Sequence, residues 1–136
     1  MRVTIEFEWE ELGKVSLSQL GKLVIPQVPV GPGVYRFRIP TESAVEVYVG
    51  QTNNLRRRMR NYAGTHRGQT ASRIRKVLLD HLAEGRQVQH SIARHARVEI
   101  DGEAVDASVD PEHVRLLVEN AALALARRVG EKAHNL

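Results

Sequence analysis

The sequence predicts a mixed α/β domain, and three observations carry the prediction. Short runs rich in β-branched and aromatic residues are interspersed with longer segments of helical periodicity. Most are separated by turn or cap signals built from Gly, Pro, Asn and Asp. At 136 residues, with 42% hydrophobic and 26% charged content, the chain is long enough for one domain with a real core, and ordinary enough in composition to exclude wholesale disorder.

Taken in order, "RVTIEFEW" (2–9) alternates apolar Val3, Ile5, Phe7 and Trp9 with polar residues, the period of a half-buried strand. Ser16 is placed to cap a short helix through Leu23, ended by Pro26 and Pro29. The breaker cluster "PVGPG" marks the start of the main domain, which leaves residues 1–30 as an N-terminal extension and 31–136 as the domain proper. "GVYRFRI" (33–39) and "VEVYVG" (45–50) read as two strands. Asn53 or Asn54 suits the N-cap of a helix to about Ala63, and a second helix covers about Ala71 to Ala83, with Gly85 as its stop. Residues 87–100 alternate weakly as one strand ending at the Asp101–Gly102 turn. In "DPEH", Asp110 caps and Pro111 opens a last helix that runs to about Arg128 and stops at Gly130.

Charge narrows the function. From Gln51 to Leu79 there are seven arginines, one lysine and no Asp or Glu, whereas the first dozen residues carry Glu6, Glu8, Glu10 and Glu11 against Arg2. One strongly basic block in a folded protein points to a polyanionic partner such as nucleic acid. Without cysteine, disulfides and cysteine zinc sites are excluded; with no apolar run of spanning length and no signal peptide, a cytoplasmic location is expected.

Within the basic block, Leu55, Met59 and Tyr62 form an inward stripe. Arg56, Arg57 and Arg60 point away from it, and Arg58 lies on its edge, where it must snorkel, pair with an acid or face an anion. Tyr35 shares a strand face with Phe37 and Ile39, and Tyr48 lies opposite the Val45, Val47 and Val49 face. Val114, Leu117, Val118, Ala121, Ala122 and Leu125 make a broad apolar face on the last helix, with Leu116 and Leu123 opposite, so that helix is expected to be buried over most of its surface. Glu119 is its only carboxylate between Glu112 and Glu131 and needs a salt bridge, a hydrogen bond or a metal. The six histidines show no metal-ligand pairing and read as structural or solvated; His66 alone falls in the basic loop.

"GVY" at 33–35 and "YVG" at 48–50, twelve residues apart, followed by "NLRRRMRNY", resemble the GIY-YIG endonuclease family, as in the N-terminal domain of the bacterial excision-repair incision subunit. Gln51 stands where members close to that subunit often carry lysine, and the Glu119–Asn135 interval is longer. The resemblance covers about residues 31–136 and implies a small mixed, largely antiparallel sheet flanked by helices, GIY-YIG-like. It implies hydrolysis of a DNA phosphodiester with Mg2+ or Mn2+. Carried over by motif, the catalytic set is Tyr35, Tyr48, Arg58, Glu119 in "LLVENAALALA" and Asn135 in "EKAHNL". Glu119 is implied as the metal ligand, Arg58 as the phosphate donor and Tyr48 as the general base, supported by Tyr35. Arg56, Arg57, Arg60, Arg67, Arg73, Arg75 and Lys76 are expected to hold the DNA backbone. The other reading is a non-catalytic nucleic-acid-binding domain on the same scaffold. A protein partner supplying specificity is a further expectation; a separate one is that the acidic N-terminal strand is a protein-interaction edge.

Overall fold

The structure, a computed structural model, describes residues 1–64 and 68–136. Its elements in order are β1 (Val3–Phe7), β2 (Glu10–Leu17), β3 (Leu23–Val24), β4 (Gly33–Pro40), β5 (Val45–Thr52), α1 (Leu55–Ala63), α2 (Gln69–Ala83), β6 (Val88–Ala93), β7 (His95–Ile100), β8 (Glu103–Ser108), α3 (Glu112–Arg128) and β9 (Lys132–Asn135). Six strands form one sheet in the order β3-β2-β6-β4-β5-β9, and β1-β7-β8 form a second. Pairing is antiparallel except where β9 joins β5 in parallel. The mixed, largely antiparallel architecture with flanking helices is the one the sequence predicts.

The two faces of the large sheet carry separate cores. Tyr35, Phe37 and Ile39 of β4 pack with Leu55, Met59, Tyr62, Ile74 and Leu78 of α1 and α2. Val34, Val47 and Val49 pack with Val114, Val118, Ala122 and Leu123 of α3. Strand alternation therefore assigns each side chain to one helical layer or the other.

Three local expectations are corrected. The helix placed over residues 16–23 is a β-hairpin. Ser18, not Ser16, organises it: its Oγ accepts from the N–H groups of Leu20 at 3.3 Å and Lys22 at 3.1 Å. A register shift between Glu11 and Gly13, where Gly13 takes φ 122°, breaks the alternation that would have revealed β2. The single strand over 87–100 is two strands in different sheets. β6 lies between β2 and β4 and is covered on both faces, so its sequence does not alternate, while β7 pairs with β1 and β8. β8 and β9 were not predicted; "KAHN" contains no β-branched or large apolar residue to signal a strand. Finally, α3 begins after Pro111 without a side-chain cap. Pro111, not Asp110, occupies the N-cap position, and the Asp110 backbone is tied elsewhere, its N–H donating to Ser108 Oγ and its carbonyl accepting from buried Arg115.

α3 is also less buried than its composition suggests. Leu116, Leu117 and Leu125 are exposed, while Arg115 and Glu119 are buried. Residues 1–30, expected as an extension, add strands to both sheets. Two of the acidic residues there are used within the chain: Glu10 holds Arg94 through both oxygens at 2.9 and 3.0 Å, and Glu11 holds Arg36 at 2.9 Å and Ser91 at 2.7 Å.

His90, central in β6, supplies a stability prediction. It is fully buried and stacked on Phe37, its Nδ1 bonds the Arg36 carbonyl, and its Nε2 has no partner. Burial pushes its pKa down from 6.5 to about 4. The unfolded chain therefore binds a proton that the folded chain refuses between those values. His90's contribution is intact above pH 6.5 and is lost as pH falls towards 4, at about 1.4 kcal/mol per pH unit. Urea denaturation of wild type and His90→Phe across this window should show a shallower decline for the variant; parallel curves would contradict the assignment.

Candidate active site

The site forms where β5 ends and α1 begins. Asn54 caps α1 by accepting from the Arg57 N–H at 3.0 Å, and the Leu55 N–H donates to the Gly31 carbonyl at 2.7 Å. The helix is thereby locked at both its cap and its approach to β4. Leu55, Met59 and Tyr62 are buried, as the stripe predicts.

Arg58, at the stripe edge, is held by tyrosine hydroxyls. It is half-buried, and its Nη1 donates to the Tyr35 hydroxyl at 3.5 Å. That hydroxyl also pairs with the hydroxyl of Tyr62, itself a hydrogen-bond partner of Arg58. Tyr35 and Tyr62 are both fully buried. Burial, followed by the neighbouring Tyr62, holds the Tyr35 phenol well above its ordinary pKa, and Arg58 offsets this only in part. Tyr35 is thus built to hold a guanidinium rather than to shed its proton. Tyr62 was read only as core; its stripe position gave no sign that its hydroxyl would enter the site.

Gly50, the last residue of "YVG", makes this packing possible. It is the register partner of Tyr35, and a Cβ at Gly50 would lie on the Tyr35 hydroxyl and 2.5 Å from its Cζ. Gly50→Ala is expected to cost about 1–3 kcal/mol of stability, read as a lower denaturation midpoint, because the ring must move to admit the methyl.

Tyr48 lies on the same face of β5, two residues earlier, and is half-buried. Burial first, then Glu46, raise its pKa, while Arg73 on α2 lowers it. Its ring stacks on His134 of β9, with centroids 4.5 Å apart and planes 15° from parallel.

Glu119 and Asn135 occupy the other face. Asn135 is the last residue of β9 and the register partner of Val49; its Nδ2 donates to Glu119 Oε1 at 3.4 Å. Glu119 is 4% exposed, and its Oε2 is buried without a hydrogen-bond partner among the described residues. Burial raises its pKa, opposed by the Asn135 bond. The two groups are anchored one residue apart on β5, at Val49 for Glu119 and Gly50 for Tyr35. The Leu136 N–H extends the pairing of this segment with β5, donating to the Val49 carbonyl at 2.9 Å.

A divalent cation can be tested against these donors. Among the described residues no group of three or more His, Asp or Glu side chains could hold a metal. One hard carboxylate oxygen, buried and unpartnered, fits an ion such as Mg2+ that keeps most of its waters. It does not fit an ion needing a full protein cage.

The basic residues divide. Arg60 and Arg73 are exposed, and exposed Arg57 donates to Asn53 Oδ1 at 2.9 Å. Lys76 pairs with Asp80 at 2.7 Å. Arg56 donates to the Val28 carbonyl at 3.1 Å, and Arg75 to the carbonyls of Tyr62 and Asn61 at 2.9 and 2.7 Å. Those last two hold α1 in place as well as adding charge. Arg67 and His66 lie outside the described residues. Gln51 is held within the chain: its Oε1 accepts from Arg115 at 2.9 Å, tying the end of β5 to α3 one turn before Glu119.

Residues 31–95 match the family model of the GIY-YIG catalytic domain. Among solved structures, a mutant of EndoII from bacteriophage T4 shares the fold, with a TM-score of 0.55, 19% identity and 86% of each chain covered. No curated protein matches the chain. No described helix is long and apolar enough to cross a membrane.

Proposed function

We propose that the chain, whose residues 31–95 match the GIY-YIG catalytic domain, is a GIY-YIG endonuclease that hydrolyses a DNA phosphodiester with the help of a divalent cation. The observation that carries the reading is the pairing at the end of β5. A half-buried arginine held by two buried tyrosines, and a buried carboxylate with an oxygen unpartnered among the described residues, are anchored at adjacent residues, Gly50 and Val49.

Arg58 would donate to the phosphate as charge builds on its oxygens. Tyr35 and Tyr62 fix the direction of its planar guanidinium before substrate arrives, which spares reorganisation in the transition state. Tyr48 would take the proton of the attacking water. It alone of the three tyrosines is partly exposed, and its nearest cationic influence is Arg73, the charge that would ease phenolate formation. Glu119 would hold Mg2+ or Mn2+, oriented by Asn135. The ion, when bound, supplies Lewis-acid polarisation of the phosphate and neutralises the leaving oxygen. Arg57, Arg60 and Arg73 would grip the backbone, giving affinity that falls with salt and carries little sequence choice.

The test is nicking of supercoiled plasmid and of branched DNA with Mg2+ or Mn2+, and its loss on chelation. Salt-sensitive DNA binding with no cleavage under either ion would overturn the nuclease reading in favour of a binding domain.

A further inference from the structure

We propose that His134 is a positioning residue for Tyr48, the side chain that fixes the phenol at the open edge of the sheet. The inference rests on reading Tyr48 as the proton acceptor. Three observations outside the family motif support it.

First, β9 is the outermost strand, so the Tyr48 ring has Phe37 as its register partner on one flank and His134 on the other. Among the described residues no strand lies beyond His134 in this sheet. Removing its ring opens that flank of the phenol to solvent. The stack, 4.5 Å between centroids and 15° between planes, is face to face. It restrains the ring without engaging the hydroxyl, unlike the Tyr35 hydroxyl, which is occupied by Tyr62 and Arg58.

Second, the imidazole is itself held. His134 Nε2 lies 3.2 Å from Glu46 Oε2, and Glu46 sits two residues before Tyr48 on the same face of β5. The carboxylate fixes one edge of the imidazole while its face rests on the phenol. An ion pair on an exposed edge contributes little to stability, with His134 42% and Glu46 21% exposed. Its structural consequence is orientation.

Third, the neighbour of His134 is Asn135, the residue that holds Glu119. Consecutive residues of a strand point to opposite faces. The four residues of β9 therefore set the phenol through His134 on one face and the carboxylate through Asn135 on the other. A short parallel strand at the sheet edge fixes both halves of the site relative to each other.

The experiment compares wild type, His134→Ala, His134→Phe and Arg58→Ala in steady-state nicking, with melting followed for each. Misplacing a catalytic group costs rate rather than substrate affinity. His134→Ala should lower kcat about tenfold or more with KM for DNA held within about twofold, and His134→Phe, which keeps a ring against Tyr48, should recover most of the loss. A His134→Ala kcat within about twofold of wild type, or a Phe variant as slow as the Ala variant, would overturn the proposal. A second readout needs no cleavage. In protein carrying 13C-labelled tyrosine rings, the Tyr48 signals should shift in His134→Ala and stay near their wild-type positions in His134→Phe. Unmoved Tyr48 signals in the Ala variant would overturn the stack as a restraint. If wild type does not nick at all, the nuclease reading itself falls. If wild type nicks, Arg58→Ala does not and His134→Ala matches wild type, the positioning role alone falls.

Discussion

Glu119→Ala is expected to abolish metal-dependent nicking, by about a thousandfold or more, while leaving DNA affinity within a few-fold of wild type. The expectation follows from the one-carboxylate geometry. Among the described residues no group of three or more His, Asp or Glu side chains is placed to hold a metal, so Glu119 is the candidate protein ligand and losing it removes that hold on the ion. The conservative Glu119→Gln separates charge from shape, since an amide keeps an oxygen for the Asn135 bond but cannot bind the cation comparably. Stability should move the other way. Burial raises the Glu119 pKa, with the Asn135 bond opposing, so its folded-state value lies above its unfolded one. Its favourable contribution is present at low pH and is lost as pH rises through the folded value, which leaves a net cost near neutrality. In chelator at neutral pH, Glu119→Gln should therefore melt at or above the wild-type temperature. Adding Mg2+ or Mn2+ should stabilise wild type and leave the variant unchanged, because only wild type binds the ion. Robust nicking by the Ala variant would remove Glu119 from the mechanism.

Arg58→Ala should slow cleavage by about 10²–10³, or about 3–4 kcal/mol of transition-state stabilisation, with DNA binding weakened only as much as by loss of any one surface cation. Arg60→Ala is the control from the same helix. Exposed and turned away from the core stripe, it should weaken binding modestly, lower its salt dependence and leave kcat nearly unchanged. Arg58→Lys should not rescue. The Tyr35 and Tyr62 hydroxyls hold a planar fork, and an ammonium cannot bond both and still face the phosphate in the same geometry. Single-turnover rates alongside binding isotherms for the three variants decide the matter; equal effects of Arg58→Ala and Arg60→Ala on rate would return Arg58 to the general grip.

Local patterning made much of this legible. The α1 stripe of Leu55, Met59 and Tyr62, its Asn54 cap and the strand faces of Tyr35 and Tyr48 all follow from periodicities of 3.6 and 2. The same arithmetic singled out Arg58 at the stripe edge and Glu119 as a lone acid. It failed where pairing partners decide structure. β6 reads poorly because both its faces are covered, β2 because a bulge at Gly13 interrupts its register, and the exposed leucines of α3 because apolar content does not say which face finds a partner.

The sequence by itself thus determined the fold class and the helix that carries the arginines, which depend on neighbours within a few residues, and the family resemblance named candidate side chains. Tertiary structure alone decided which of them meet. The Tyr35 ring crosses to Gly50 and joins Tyr62, β9 returns along β5 to bring His134 to Tyr48, and Asn135 reaches Glu119. Those contacts join residues far apart in the chain, and they exist because strand register, a property of two segments at once, brings them opposite one another.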